Sequence, residues 1–549
     1  MMQGDELNLA EGFAEPNLQA WRAAVDKVLK GADFERRMVT RSEDGFAIQP
    51  LYTPADAEES GVPGNAPFVR GTRPADGRWL IEQRHAHPDP ALANRQGLDD
   101  LARGVEGLRL VVADPLADTA EGIRLAGAGD LEVVLDGVFT GMAAVSLEAG
   151  SRAVAFGDGL LRLWADRGDA ADAIVGDLHV DPIATLGLTG KLDRSVDDAF
   201  ADAAGLIDRA DGFPKVRVLG VDLRAYHDGG ATAGEELACG LAHLAEALRA
   251  LDRAGVDPSR AAAATTLTLA VDDDVFTTIA KVRALRRCWS TLVGALGADV
   301  PAPRVVAETS RRMLTKRDPW VNLLRNTVAA FGGGVAGADV LTVLPFSHAL
   351  GLPDRTARRM ARNTQLVLLE ESSLGNVVDP AGGSWYVEHL TDEIAHAAWQ
   401  RFQTIETEGG LLAALQSGGL HARLAEERAA REKAVATRKR PITGVSTFPL
   451  LDETAVEVET VDATGLPPLP TASAAVEVTP LPRYRLAESF EALRDAADRL
   501  PERPAVVLLT LGTLAEFNAR STAAASAKGS LGAAAMPPAS IKLAIQVER

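Results

Sequence analysis

Between residues 64 and 419, short apolar runs alternate with longer stretches in which apolar residues recur every three or four positions. The runs at 108–112, 131–135, 143–147, 173–176, 216–221, 265–271, 304–307 and 339–345 read as strands. Several are apolar at consecutive positions, as strands covered on both faces of a parallel sheet should be. Helical spacing fills the gaps, most plainly at 234–251 and 274–296. A further helix is predicted to open at Asp318-Pro319, an N-cap followed by proline at the first helical position. Trp320, Leu323, Leu324, Thr327, Val328 and Phe331 then follow along one face. About eight strand–helix alternations over this length predict an α/β fold, a (β/α)8 TIM barrel spanning 63–420. An open doubly wound sheet is the alternative.

The flanks have different patterns. Residues 1–62 read as an N-terminal helical arm: 17–31 carries Leu18, Trp21, Val25, Val28 and Leu29 at helical spacing, and 46–52 is strand-like. Such an apolar stripe on an arm needs another surface to cover it. Residues 421–483 comprise a charged helix, expected to be a solvated face, and a Pro/Ala-rich linker containing Leu466-Pro467-Pro468-Leu469-Pro470. In 484–549 a helix at 486–500 and a strand at 505–509 open a small α/β domain. It reads as incomplete, because 521–532 is low-complexity Ala/Ser/Gly.

Charge and composition narrow the partners. The formal net charge of -19 opposes nucleic acid and anionic lipid, so neither a nucleic acid nor a membrane is expected as a partner. Cys239 and Cys288 offer no disulfide framework or zinc spacing. An acidic start without the layout of a signal peptide, and no apolar run approaching ~20 residues, lead to a cytoplasmic expectation.

Candidate chemistry is sparse. Gly332-Gly333-Gly334 joins a helix to a strand rather than a strand to a helix, so it is not read as a phosphate loop. Arg355, Arg358, Arg359 and Arg362 share a helix face; a solvated or inter-subunit surface is favoured there over a CoA-phosphate patch. Asp177-Leu178-His179 superficially has the Asp-x-His of cobalamin-binding domains, but proline stands at 182 where that motif has glycine, and no metal site is expected. His227 follows the strand 216–221 within Arg224-Ala225-Tyr226-His227-Asp228-Gly229-Gly230, which in a barrel lies at the C-terminal rim where active sites form.

Three segments together resemble the methylmalonyl-CoA mutase family: Asp318-Pro319-Trp320-Val321-Asn322-Leu323-Leu324-Arg325-Asn326-Thr327, Arg362-Asn363-Thr364-Gln365-Leu366, and Val378-Asp379-Pro380-Ala381-Gly382-Gly383-Ser384-Trp385-Tyr386. The likeness runs from the arm through Asn518-Ala519-Arg520. The resemblance implies a barrel enclosing acyl-CoA, followed by a flavodoxin-like cobalamin domain. In the catalytic chains, adenosylcobalamin homolysis starts a radical interconversion of methylmalonyl-CoA and succinyl-CoA.

This sequence departs from the catalytic pattern. The cobalamin domain's Asp-x-His-x-x-Gly is missing after the linker, so 484–549 reads as a degenerate cobalamin-binding-like domain. The segment from Gly71 to Trp79 lacks the substrate-abutting tyrosine, and Glu308-Thr309-Ser310 puts an acid where active chains carry glutamine. His227 matches the family's active-site histidine, a remnant of a dismantled catalytic set; Tyr226, His227 and Glu308 are the candidate substrate contacts. The resemblance is to the small, non-catalytic subunits. It implies a heterodimer with a large catalytic mutase subunit that holds the adenosylcobalamin, and no tight cobalamin binding by this chain. The alternatives are an independently active acyl-CoA mutase served by a separate cobalamin chain, or an acyl-CoA-binding regulator.

Overall fold

A computed structural model describes residues 17–57, 61–73, 76–119, 121–297, 301–462 and 464–501, with 505–506, 529 and 534–535. Eight parallel strands close into a barrel: β1 (Leu80–His85), β2 (Gly107–Val111), β3 (Ala144–Glu148), β4 (Gly176–Val180), β5 (Val216–Asp222), β6 (Thr265–Val271), β7 (Arg304–Thr309) and β8 (Val340–Thr342). β8 pairs with β1 to complete the ring, with Val340 opposite Leu80. The TIM barrel, rather than the open sheet, is the fold. Leu267 and Leu269 on β6 and Val305 and Ala307 on β7 are fully covered by the surrounding helices, which explains why these runs are apolar throughout.

Three strand assignments change. β1 reads Leu-Ile-Glu-Gln-Arg-His, and Glu82, Gln83 and His85 are all buried. A strand this polar carries no hydrophobic signal; it is tolerated because Glu82 accepts from Arg109 Nε at 2.7 Å and from Thr342 Oγ1 at 3.0 Å on the two flanking strands. The apolar run expected as a strand at 131–135 is the short helix Leu131–Val134. The strand expected at 173–176 is displaced to Gly176–Val180, where the pairing with β5 shifts register between Asp177 and Val180 and His179 takes φ 48°. A bulge of this kind re-aims side chains at the rim.

Around the barrel, α1 (Leu18–Leu29), α2 (Ala233–Arg253), α3 (Val275–Ala295), α4 (Val321–Val335), α5 (Arg355–Leu366), α6 (Gly419–Ala436) and α7 (Glu488–Asp498) frame the site. α1 has no buried residue; its Trp21 meets Phe34 edge-on at 6.2 Å. Asp318 does not cap α4, which starts at Val321. The apolar face of α4 turns outward, with Trp320 50% and Leu324 67% exposed and Val328 and Phe331 also exposed. Its inward face is polar: Asn322 donates to the carbonyls of Thr315 and Phe346, and Asn326 to that of Leu344. The triple glycine ends this helix, and a Cβ at Gly334 would lie 2.5 Å from the Trp79 ring. That run is therefore a close-packing device.

The charged helix expected at 421–440 is α6, and it is not wholly a solvated face. Arg431 is buried, with Nη1 on the Gly230 carbonyl at 2.8 Å and Nη2 on Glu43 at 2.7 Å, so it ties the arm to the rim. α5 resolves in the same way: Arg358 meets Glu459 at 3.3 Å, Arg362 pairs with the buried Asp100, and Arg355 reaches Asp99. Beyond the linker, Leu481 N–H bonds the Gly187 carbonyl and Leu486 N–H that of Arg312, laying the chain across the C-terminal rim before α7. Of the expected C-terminal domain, Ala505–Val506 pairs in parallel with Ala534–Ala535; most of it lies outside the described residues, as do positions 74 and 75 of the segment without tyrosine.

Candidate functional site

The C-terminal mouth of the barrel opens into a cavity of about 400 Å³. Its floor is an ion-paired lattice assembled from the ends of five strands. Arg84 of β1 grips Glu148 of β3 with both oxygens at 2.7 Å and reaches Glu121 at 3.0 Å. Arg224, two residues beyond β5, reaches Asp222 at 2.6 Å, Glu148 at 3.1 Å and Glu308 of β7 at 2.8 Å. Burial alone would raise the carboxyls of Glu148 and Asp222, yet Arg84 and Arg224 hold Glu148, and Arg224 with His179 holds Asp222, well below the usual range. Burial likewise opposes the charge on Arg224, and its three carboxylates hold its pKa well above the ordinary value. His179, aimed by the β4 bulge, lines the same space 3.8 Å from Asp222.

The structure divides the three expected contacts. Glu308 lines the cavity, engaged by Arg224. His227 sits at the C-terminal rim, on the short helix Arg224–Gly229, but lines no part of the cavity and is 1% exposed. Its Nδ1 lies 3.0 Å from Glu236 Oε2 and its Nε2 2.7 Å from Ser310 Oγ, while Lys281 Nζ donates to the same Glu236 oxygen at 2.7 Å. Burial first, then Arg312 and Lys281, keep this imidazole far below its ordinary pKa, so it is neutral. A neutral ring donates from Nδ1 to the carboxylate and accepts the serine hydroxyl at Nε2. The Ser310–His227–Glu236 spacing matches an activated nucleophile, yet Ser310 is also 1% exposed and outside the cavity lining, so no substrate reaches it. Tyr226 is sealed as well, its hydroxyl 2.9 Å from His243 Nδ1, with His243 Nε2 2.9 Å from Asp181.

Sequence reasoning did not single out Arg84, Glu148, Arg224, Arg311 or Arg483. The available signal was a charge closing an apolar run, as Glu148 does after 143–147; Arg84 had none, because β1 itself is polar.

The chemistry a lower cobalamin ligand would need is also absent from the right place. The last histidine in the sequence is His421, ahead of the linker. Asp177 and His179 belong to a barrel strand, and Asp181 beyond them caps the helix Pro182–Thr189 through the Ala184 N–H. These residues do not fit the axial ligation of a corrinoid. Among the described residues, no group of three or more His, Cys, Asp or Glu is arranged to hold a metal, and no helix is long and apolar enough to cross a membrane.

Comparison with known proteins places this barrel. A family model described as methylmalonyl-CoA mutase matches residues 41–497. The methylmalonyl-CoA mutase small subunit of Streptomyces virginiae is 44% identical over 542 residues, covering 96% of this chain and 84% of that one. The protein of the same name from Propionibacterium freudenreichii subsp. shermanii is 36% identical, with 94% and 80% covered. The methylmalonyl-CoA mutase of Escherichia coli (strain K12) is 30% identical, with 81% and 66% covered. With the family model spanning the barrel, linker and α7, and relatives of this identity over nearly the whole chain, the protein belongs to the methylmalonyl-CoA mutase family.

Proposed function

We propose that this chain is the non-catalytic small subunit of a heterodimeric mutase, supporting a large catalytic subunit that uses adenosylcobalamin to interconvert methylmalonyl-CoA and succinyl-CoA. The observation that carries the reading is the state of the barrel mouth. Glu308 is consumed by Arg224, and His227 is locked between Glu236 and Ser310. Acyl-CoA binding and the radical chemistry then belong to the partner. His227 serves as a structural remnant, and Tyr226 contributes to the packing behind it.

Two exposed apolar surfaces support a partner: the outward stripe of Trp320, Leu324, Val328 and Phe331 on α4, and the uncovered α1. A stable interface covers about 1,000 Å² or more, so it would need such surfaces and their neighbours together. Co-expression with a large mutase subunit should yield a stable heterodimer that isomerises methylmalonyl-CoA, while the isolated chain mixed with adenosylcobalamin shows no turnover. Trp320→Asp with Leu324→Asp, or Trp21→Asp with Val25→Asp, should weaken co-purification by placing charge in the contact. Turnover by the isolated chain, or with a separate cobalamin-carrying chain alone, would favour an independent mutase. If no large subunit co-purifies under any condition, the partner reading fails.

A further inference from the structure

Several buried polar atoms of the barrel lack a hydrogen-bond partner, and one of them is a guanidinium nitrogen at the cavity mouth. Arg311 follows β7 directly, in the 3-10 turn Arg311–Met313, and lines the cavity mouth. Its Nη1 is buried without a hydrogen-bond partner, whereas the neighbouring Arg84 and Arg224 each grip at least two carboxylates. Arg483, on the chain laid across the rim, lines the same mouth, and its ion pair among the described residues is with Asp228, at 3.7 Å. The other carboxylates at this end are already engaged, Glu121 by Arg84 and Asp118 by Lys191. Asp228, and Glu121 already held by Arg84, are the carboxylates near both guanidiniums, and a buried guanidinium N–H without an acceptor is a costly arrangement in a folded protein.

We propose that the barrel mouth is a binding site for a small oxyanion, a phosphate or a carboxylate, held between Arg311 and Arg483. A planar guanidinium fork suits either group, and a cavity of about 400 Å³ admits a small molecule. Burial, and then the nearby Arg483, depress the Arg311 pKa, a strain that a bound anion would relieve. The lattice also fixes the ligand's orientation. Deeper in the cavity Glu148, Asp222 and Glu308 have already taken both available arginines, so a second negative charge finds no counter-ion there. His179, 3.8 Å from Asp222, is committed as well: burial opposes its charge, but Asp222 and Asp177 raise its pKa, so it serves a carboxylate already in the lattice. The site thus favours a ligand with one anionic end and an uncharged body over a molecule charged at both ends. It stands apart from the subunit reading, since it concerns this chain's own cavity whatever its partner.

Isothermal titration of the full chain at fixed ionic strength tests this, using inorganic phosphate, acetate and succinate as separate probes. Saturable one-to-one binding in the millimolar range or tighter is expected for phosphate or acetate, and which of the two binds more tightly identifies the group. Arg311→Gln and Arg483→Gln should each weaken it at least about tenfold, Arg311→Lys should retain part of it, and exposed Lys215→Gln should leave it unchanged. Thermal melts check that each variant is folded. Succinate should bind no better than acetate. The proposal is overturned if no probe saturates, if the Arg311→Gln and Arg483→Gln chains titrate like the parent, or if succinate binds about tenfold more tightly than acetate.

Discussion

Arg224 and His227 lie three residues apart on one short helix, and their surroundings could hardly differ more. Arg224 turns into the cavity and holds carboxylates from β3, β5 and β7; His227 turns away into a pocket closed by α2, α3 and Ser310. Both clusters are buried and polar. In the His227 cluster each ring nitrogen has a partner and no space remains. At the cavity mouth one guanidinium is left without an acceptor beside open volume. Glu236 Oε1 is also buried without a partner, but it lines no part of the cavity, so the unpartnered group beside open volume is the one that points to a ligand.

That contrast can be broken by experiment. The largest effect is expected from Arg224→Met, which strands Glu148, Asp222 and Glu308 around the barrel axis. A loss of about 3–5 kcal/mol in urea unfolding is the expected cost of breaking such a buried network. A loss under about 1 kcal/mol would mean that the lattice is hydrated and contributes little. Next comes His227→Gln, which cannot meet Glu236 and Ser310 in the same geometry. It should destabilise by about 1–3 kcal/mol while leaving phosphate affinity unchanged within about twofold, because the two clusters share no partner. Coupled losses in stability and anion binding would erase the distinction.

The smallest effect is a pH dependence. His348 lines the cavity, and burial first, with Arg84, Arg311 and Arg483, depresses it to about 4. The unfolded chain takes up this proton near pH 6.5 and the folded chain only near 4, so the contribution is fully present above 6.5 and is lost as pH falls through that window. Between pH 6.5 and 5.5 the parent should lose roughly 1 kcal/mol more than a His348→Gln variant, measured by urea unfolding at each pH. Equal slopes would place a proton acceptor beside His348 that offsets the arginines.

Periodicity identified β2, β3, β5, β6 and β7, whose apolar side chains pack beneath helices, and the helices α2 and α3 to within a few residues at each end. It missed β1, because Glu82, Gln83 and His85 derive their fitness for burial from Arg109, Thr342 and the α5 backbone, all distant in sequence. It promoted 131–135, an apolar run that a short helix buries equally well. The outward turn of α4 was illegible for the same reason: its apolar stripe promised a core-facing helix, and only the barrel reveals that Asn322 and Asn326 face inward to cap strand-end carbonyls.

By itself the sequence pointed to the barrel, with an open sheet as the alternative, through apolar strand runs alternating with helices, and it pointed to the family through motifs read in order. It also placed His227 at the C-terminal rim, because a residue just beyond a barrel strand has nowhere else to go. Tertiary structure alone decided which way each rim side chain turned. His227 became sealed, Glu308 became ion-paired with Arg224 and Arg311 was left open because each outcome depends on groups brought together from segments distant in sequence, and on how much water the closed barrel excludes around them.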